Sequence, residues 1–379
     1  MKQLDLPTWQ WSLPADAVSR KVLFAVHDWG LGHATRVLPL IRALLRRGHR
    51  VGVVSAGRAL SLLRRELGAQ CMYFELADIP KPLGLRPMTL YVRMTLALPE
   101  VFRIFRLEQA FARRLCLEHG FDCIVSDSRF GMALEEIPSF YIFHSLRQII
   151  PGRPRRLEQL VEWSQRRLLA RAQRILVPDS ATLGLAGDLC HDLACDWSGR
   201  ISYIGILTSM ARMPVPEDID CFISISGAEP QRGVFERLVL EQVSGLPGRV
   251  VIALGRPEAA EIIHDDGRLT IYGYLARARQ AEMMNRARLI VTRSGYTTLM
   301  ELAELGKKAL LVPTLGQSEQ EYLAEYHRRA GRVHSVDQRR LRLQRDVALA
   351  WEHPGFQPMS SSSESVEHFL ELVVGPVSR

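Results

Sequence analysis

A chain of 379 residues is longer than one ordinary hydrophobic core and suits two domains of about 150–200 residues each. Its 47% hydrophobic and 24% charged residues are those of a globular protein, and no run approaches the roughly 20 apolar residues a membrane span needs. A formal net charge of +8 favours anionic partners: a nucleotide diphosphate, an acidic lipid or a nucleic acid.

Residues 1–20, MKQLDLPTWQWSLPADAVSR, place Asp5, Asp16 and two prolines where a signal peptide would need an apolar core, and read as an N-terminal extension. Cys71, Cys116, Cys123, Cys190, Cys195 and Cys221 show no paired spacing, so a reducing cytoplasm is expected. The segment CHDLAC, Cys190 to Cys195, is too sparse for a four-ligand zinc site.

Along the chain, short β-branched runs (VLFAVH, VGVVSA, CIVSD, FYIFHS, ILVP, CFISIS, VVIAL, LTIYGY, LIVT, ALLVP) alternate with segments of helical period. The helical segments include Thr35–Arg47, Pro99–Glu118, Leu157–Ala172 and Val234–Val243. Runs without polar alternation, separated by helices, predict parallel sheets covered on both faces, a doubly wound α/β protein. The pattern breaks at TSMARMPVPEDID, so a first domain over 21–208, a linker over 209–220 and a second domain over 221–352 are expected. A tail over 353–379 ends in a serine-capped helix from Glu364 to Val374.

In open parallel sheets, ligands sit where strands end and loops lead into helix N-termini, and three such loops stand out. In HDWGLGHATR, His27 to Arg36, Gly30 and Gly32 let the backbone turn and approach a ligand, and the following helix aims N–H groups at an anion. His33 at the helix entrance can accept a proton near neutral pH, or can simply cap the helix. In SISGAEPQRGVFER, Gly227, Arg232 and Gly233 can accept a phosphate, a pattern that turns without a ligand also show. In the third, Ser294 and Gly295 turn into a helix starting near Thr297, with Glu301 one turn inside it, placed to accept hydrogen bonds from a ribose diol. One strand later Gln317, Glu319, Gln320 and Glu321 can bind sugar hydroxyls, and together these residues describe a nucleotide-sugar pocket.

The spacing R-S-G-x-x-T-x-x-E-L-x-x-x-G-K from Arg293 to Lys307, followed by L-V-P and a Gln-rich turn, resembles the donor-binding signature of GT-B glycosyltransferases. The resemblance is to the MurG-like group, which transfers N-acetylglucosamine from UDP and has the C-terminal domain of glycosyltransferase family 28. The segment GLGHATR resembles the glycine-rich acceptor loop of the same group. The resemblance implies two Rossmann-like domains facing a cleft, acceptor-binding first and nucleotide-sugar-binding second. It implies that Ser294, Gly295 and Thr298 lie at the diphosphate, Glu301 at the ribose, Gln320 at the donor sugar with Gln317 and Glu319, and Gly227 on the phosphate side. Tyr274 and Leu275, in YGYL, would face the base, and Gly30, Gly32, His33 and Arg36 would form the acceptor loop. Ala324 departs from the group, which has asparagine after the glutamine turn, and the first half matches no peptidoglycan-lipid pocket; donor sugar and acceptor stay open.

Such a site implies displacement at the anomeric carbon of a UDP-type hexose, with backbone N–H groups stabilising the diphosphate and Arg293 or Arg232 assisting. His33 is the expected base, with Asp127 and His144, at strand ends, in reserve. No cofactor or metal is required, and the D-x-D pair Asp218 and Asp220 falls in the linker. The alternatives are a nucleotide-sugar epimerase or hydrolase of related fold, or a non-catalytic nucleotide-binding subunit. Between Pro80 and Glu118, Phe102, Phe105, Phe111 and Leu115 mingle with Arg103, Arg106, Arg113 and Arg114, and GRPRR follows at Gly152 to Arg156. Such a face can be a core helix with solvated arginines, or can lie on an anionic membrane. A lipid-linked or small-molecule acceptor is therefore expected over nucleic acid, at the inner face of the membrane.

Overall fold

The structure, a computed structural model, describes residues 19–78, 98–182, 184–197, 199–227, 229–256, 258–359 and 361–375. Most of the N-terminal extension, and the part of the apolar and basic segment from Pro80 to 97, lie outside the described residues.

The first sheet is built from β1 (Lys21–Val26), β2 (Arg50–Ser55), β3 (Met72–Glu75), β4 (Cys123–Asp127), β5 (Ser139–Ile142), β6 (Arg174–Val177) and β7 (Ile201–Tyr203). Its helices are α1 (Leu31–Arg46), α2 (Gly57–Leu67), α3 (Leu98–His119) and α4 (Arg155–Leu168). The strands lie in the order β3-β2-β1-β4-β5-β6-β7, and every pairing is parallel. The order reverses between β1 and β4, which opens a crevice above their carboxyl ends.

The second sheet uses β8 (Ile219–Ser224), β9 (Val250–Ala253), β10 (Ile262–Asp265), β11 (Leu269–Tyr272), β12 (Ala287–Thr292), β13 (Lys308–Leu311) and β14 (His334–Ser335). Its helices are α5 (Gln231–Gln242), α6 (Arg277–Arg286), α7 (Tyr296–Leu305), α8 (Ser318–Arg329) and α9 (Leu343–Trp351). The order β10-β11-β9-β8-β12-β13-β14 reverses between β8 and β12, and only the edge strand β10 pairs antiparallel among the described strands. The central runs Val22–Val26 and Leu289–Val291 are buried, as continuous apolar strands covered on both faces must be.

The last helix, α10 (Ser362–Val373), begins two residues before the expected Glu364. Ser361 and Glu364 form a reciprocal capping box that satisfies its first N–H groups. The helix returns to the first domain: Phe369 meets Phe24 with ring centroids 6.2 Å apart, and Ser362 Oγ accepts from Thr208 N at 2.9 Å. α1 also starts earlier than its apolar period suggests, because Gly30 is its extended N-cap and Gly32 and His33 lie inside the first turn. In α3, Leu115 is core and Phe105 and Phe111 are half-buried, while Arg103, Arg113 and Arg114 pair with Glu100, Glu136 and Glu118.

Lys307, which closes the sequence signature, serves the fold. Its Nζ donates to the carbonyls of Asn285 and Ala287, both at 2.7 Å, and pairs with Glu217 at 2.5 Å, fixing the junction of α6 and β12. Lys307→Met would leave two carbonyls without their charged donor, so thermal unfolding should show a loss of about 1–3 kcal/mol with nucleotide affinity of the folded protein unchanged.

Candidate active site

The first switch point builds a histidine–aspartate–arginine cluster. β1 and β4 pair with Val26 opposite Asp127, so Asp127 ends its strand beside the turn that enters α1. His33 and Arg36, three residues apart on one face of α1, both reach its carboxylate. His33 Nδ1 lies 2.8 Å from Oδ1, Arg36 Nε donates to Oδ2 at 2.6 Å, and Arg36 Nη2 donates to Oδ1.

Burial opposes the charge of Asp127, yet Arg36 and His33 hold its carboxyl well below the usual range. An anionic carboxylate only accepts, which assigns the proton of His33 to Nδ1 and leaves Nε2 as the basic nitrogen. Burial, helped by Arg36 and opposed by Asp127, lowers His33 to about 4. The imidazole is therefore neutral throughout the ordinary assay range. Asp127, a reserve base from the sequence, is instead the group that orients His33.

His144, the other reserve, joins the two domains. Its ring stacks on Tyr296 with centroids 4.2 Å apart and planes 6° from parallel. Nδ1 lies 3.4 Å from Arg36 Nη1, and Nε2 lies 3.4 Å from Glu319 Oε1. With both nitrogens engaged, it is a cross-cleft strut. Glu319 is half-buried, and against the cost of desolvation it stays below the ordinary carboxylate value because His144, His33 and Arg36 face it.

The second switch point presents the N-terminus of α7. Gly295 is its extended N-cap, no side chain caps it, and its first turn holds no acid. The same is true of α1 at Gly30. The two first turns touch across the cleft: a Cβ on Gly32 would stand 2.8 Å from Thr297 Oγ1, so glycine is required there for close approach rather than for a turn. Tyr296 OH donates to the carbonyl of Pro178 at 2.7 Å, locking α7 against the end of β6. Two uncapped positive helix ends thus converge on one place, an arrangement suited to a multiply charged anion.

Several predicted donor residues serve the frame of this site. Ser294 is fully buried and its Oγ donates to the carbonyl of Gln320 at 2.7 Å, so its hydroxyl joins β12 to α8 and leaves anion contact to backbone N–H groups. Gln320 Oε1 accepts from Thr314 N at 2.9 Å, and its Nε2 would lie 4.0 Å from a Cβ on Gly295. Gly227, at φ +115°, turns the loop after β8 next to Thr314.

Arg293 does not face the anion site. It lies over Phe235 at 4.2 Å and donates to the carbonyls of Val312, Pro313 and Gln231, and burial lowers it to about 10. Arg232 is neutralised by Glu229 and Glu236. Both arginines expected to assist are braces of the domain. Glu301, expected at the ribose, is buried and its Oε1 accepts from Arg277 at 2.7 Å. Tyr274 and Leu275 lie in the loop between β11 and α6, and Leu275 is buried. Thr298 is half-buried in the first turn of α7, and Gln317 caps α8 without a side-chain bond to it.

Asp218 and Asp220 bracket the first residue of β8, away from the cleft, and bind Arg249, Arg286 and Arg288. Asp179, Cys190 and His191 cluster, but the Asp179 carboxylate already accepts the N–H groups of Ser180, Leu185 and Ala186, which makes it a loop clamp. A recess of about 220 Å³ lined by Leu315, Glu321, Ala324, Arg328 and Asp337 takes in Glu321 of the expected hydroxyl readers, and neither His33, Asp127 nor Thr297 lines it. Tyr296, Thr297 and Arg277 escaped the sequence reading because the first two fill unspecified positions of the signature and the third lies outside it.

Family models match both halves of the chain: Glycosyltransferase Family 4 over residues 31–188 and the Glycosyltransferase family 28 C-terminal domain over 233–372. A search of curated proteins returned no match. The glycotransferase of kitacinnamycin is similar in structure, with 17% identity, a TM-score of 0.62, and 92% of this chain and 94% of that one covered. CalG4, the calicheamicin glycosyltransferase, is 16% identical with a TM-score of 0.62 over 95% of this chain and all of its own. MurG of Acinetobacter baumannii is 15% identical with a TM-score of 0.55 over 94% of this chain and 99% of its own.

The cluster makes a pH prediction. His33 should stay neutral down to about pH 4, and Arg36→Met, which leaves Asp127 unopposed, should move its titration upward; NMR of the imidazole reads both. Because the folded value lies below the unfolded value of about 6.5, the unfolded chain binds the extra proton first, and this histidine's contribution to stability falls as pH drops from about 6.5 to 4.

Proposed function

Because glycosyltransferase family models match both halves of the chain and its fold is GT-B, we propose that it is a MurG-like enzyme that transfers a hexose, N-acetylglucosamine or similar, from a UDP-type sugar to an acceptor hydroxyl. The transfer is a single displacement that requires no metal. The acceptor is a lipid-linked or small-molecule alcohol, met in the cytoplasm at the inner face of the membrane.

One observation carries the reading: the uncapped, acid-free first turns of α1 and α7 meet at the cleft, beside a neutral histidine whose other nitrogen is held by a carboxylate. The diphosphate lies between the helix ends and neutralises their mutual repulsion. The acceptor oxygen attacks the anomeric carbon as its proton passes to His33 Nε2, and the bond from that carbon to the diphosphate oxygen breaks. Charge developing on the departing nucleoside diphosphate is taken by the N–H groups of α7. Arg36 holds the Asp127 carboxylate in place, and Asp127 keeps the imidazole in register and stabilises the imidazolium that forms. Gln317, Glu319 and Gln320 line the hexose, Gly227 lies along the phosphates, and Glu301 accepts from the ribose once Arg277 yields. Structural neighbours solved with thymidine diphosphate and with UDP give the same ligand class.

His33→Ala should cut single-turnover transfer about 10²–10⁴-fold while UDP affinity is kept, the reaction should continue in excess EDTA, and the product should have the inverted anomeric configuration. A retained configuration would remove His33 from the role of base. Donor hydrolysis or isomerisation with no acceptor present would favour the epimerase or hydrolase chemistry.

Calorimetry tests the nucleoside side. Glu301 as a charged acceptor for the ribose makes UDP bind about 10-fold or more tightly than its 2′-deoxy analogue, and Glu301→Gln should erase most of that difference. An unchanged preference in the folded variant would move the ribose elsewhere.

A further inference from the structure

The clamp on Asp179 leaves one acceptor position over. Oδ1 accepts from Ser180 N and Leu185 N, both at 2.8 Å, and Oδ2 accepts from Ala186 N at 2.9 Å. A carboxylate has about four such positions. The remaining one, on Oδ2, faces Cys190 Sγ at 3.5 Å and His191 Nε2 at 3.3 Å. The sulfur, nitrogen and oxygen all lie within 4.8 Å of one another. The segment CHDLAC supplies too few ligands by itself, and the fold adds a third from the end of β6.

This group differs from an ordinary hydrogen-bonded turn in charge, spacing and room. The buried acids Glu108, Asp127, Glu162 and Asp346 are matched by Arg129, Arg36, Arg147 and Arg345. Asp179 is fully buried with no arginine or lysine in ion-pair range among the described residues, and His191 is its one ion-pair partner. Buried charges are paired or coordinate metals. Zinc bonds of about 2.3 Å to sulfur and 2.0–2.2 Å to nitrogen and oxygen, at the tetrahedral angle, put S···O at about 3.5–3.7 Å and N···O at about 3.3–3.5 Å. Both observed separations fall in those ranges, and the N···O value is longer than the roughly 2.7–3.2 Å of an N–H···O hydrogen bond. A Cβ on Gly184 would stand 2.3 Å from His191 Nε2 and 3.1 Å from Asp179 Oδ2. Gly184 has no positive φ that would require glycine, so the missing side chain makes room beside the two ligand atoms.

We propose that Asp179, Cys190 and His191 form a zinc site, with water as the fourth ligand on the half-buried side of His191. Thiolate, imidazole and carboxylate together select zinc over magnesium or calcium. Tyr203 orients two of the ligands: its ring stacks on His191 with centroids 5.1 Å apart, and its OH donates to the Cys190 carbonyl at 2.6 Å. The second domain rests on the same loop. Tyr296 OH donates to the Pro178 carbonyl, Tyr326 OH to that of Gly184 at 3.3 Å, and His327 Nε2 lies 3.0 Å from the Leu185 carbonyl oxygen. Zinc here fastens the first-domain loop on which α7 and α8 sit. None of its ligands belongs to the proposed catalytic or donor set, so loss of zinc lowers stability while the folded protein goes on transferring.

The test is a titration of the metal-depleted full chain, under reducing conditions, with zinc and with cobalt(II). The wild type should bind one equivalent of either ion, and the cobalt form should show a thiolate-to-metal charge-transfer band with the intense visible absorption of a tetrahedral ion. Cys190→Ser should lose that band and bind zinc about 100-fold or more weakly, whereas Cys195→Ser, outside the cluster, should keep both. His191→Ala, which removes a half-buried ligand, and Gly184→Ala, which crowds the ligands, should weaken zinc in the same way and stand in if Cys190→Ser does not fold. Added zinc should raise the unfolding temperature of the wild type and leave that of Cys190→Ser and His191→Ala where it was. No metal bound by the wild type, a cobalt spectrum without the thiolate band, or binding kept by folded Cys190→Ser or His191→Ala would overturn the proposal.

Discussion

The meeting of two helix N-termini is the constraint on which the rest of the structure depends. α1 and α7 belong to different sheets, each enters from a switch point, and each arrives without a cap or an acid in its first turn. Like ends of two dipoles repel, so the contact between Gly32 and Thr297 has to be held from outside. Tyr296 on Pro178, His144 on Tyr296 and Glu319 beside His144 provide that hold. The electrostatic frustration is kept in a place where a bound anion would relieve it.

Buried arginine is the device that shapes both switch points. Arg36 neutralises the Asp127 carboxylate, Arg129 pairs with Glu108, and Arg293 braces three carbonyls above β13 and α5. A planar fork with five donors can satisfy several acceptors from one stem, which a lysine cannot.

The fold was legible because its signals are local and repeated. Uniform apolar runs such as those of β1 and β12 announce parallel strands, and turn residues after each announce the ligand edge. The edge strands β3, β7, β10 and β14 were absent from the apolar runs because each is too short, at two to four residues, to stand out from its flanks. At the site, glycines and His33 were readable because a strand-to-helix loop limits what they can do. Roles that depend on a partner far away in sequence were not: Asp127 belongs to His33 across 94 residues, and Glu301 belongs to Arg277 on another helix. The same holds for Ser294 and Arg293, where a signature gives the residue but only tertiary contacts decide which way its side chain is spent.

The return of α10 to the first domain bears on how the chain is made. Phe369 and Leu370 complete the same core as Phe24 and the inner face of α1, so residues more than three hundred positions apart close one apolar surface. Domains tend to form in order of synthesis, N-terminal first. Here the first domain emerges with a groove that its own sequence cannot fill, and must wait through the whole of the second before the last helix covers it. A chain ending before residue 362 would lack the side chains of Phe369 and Leu370 that complete this core.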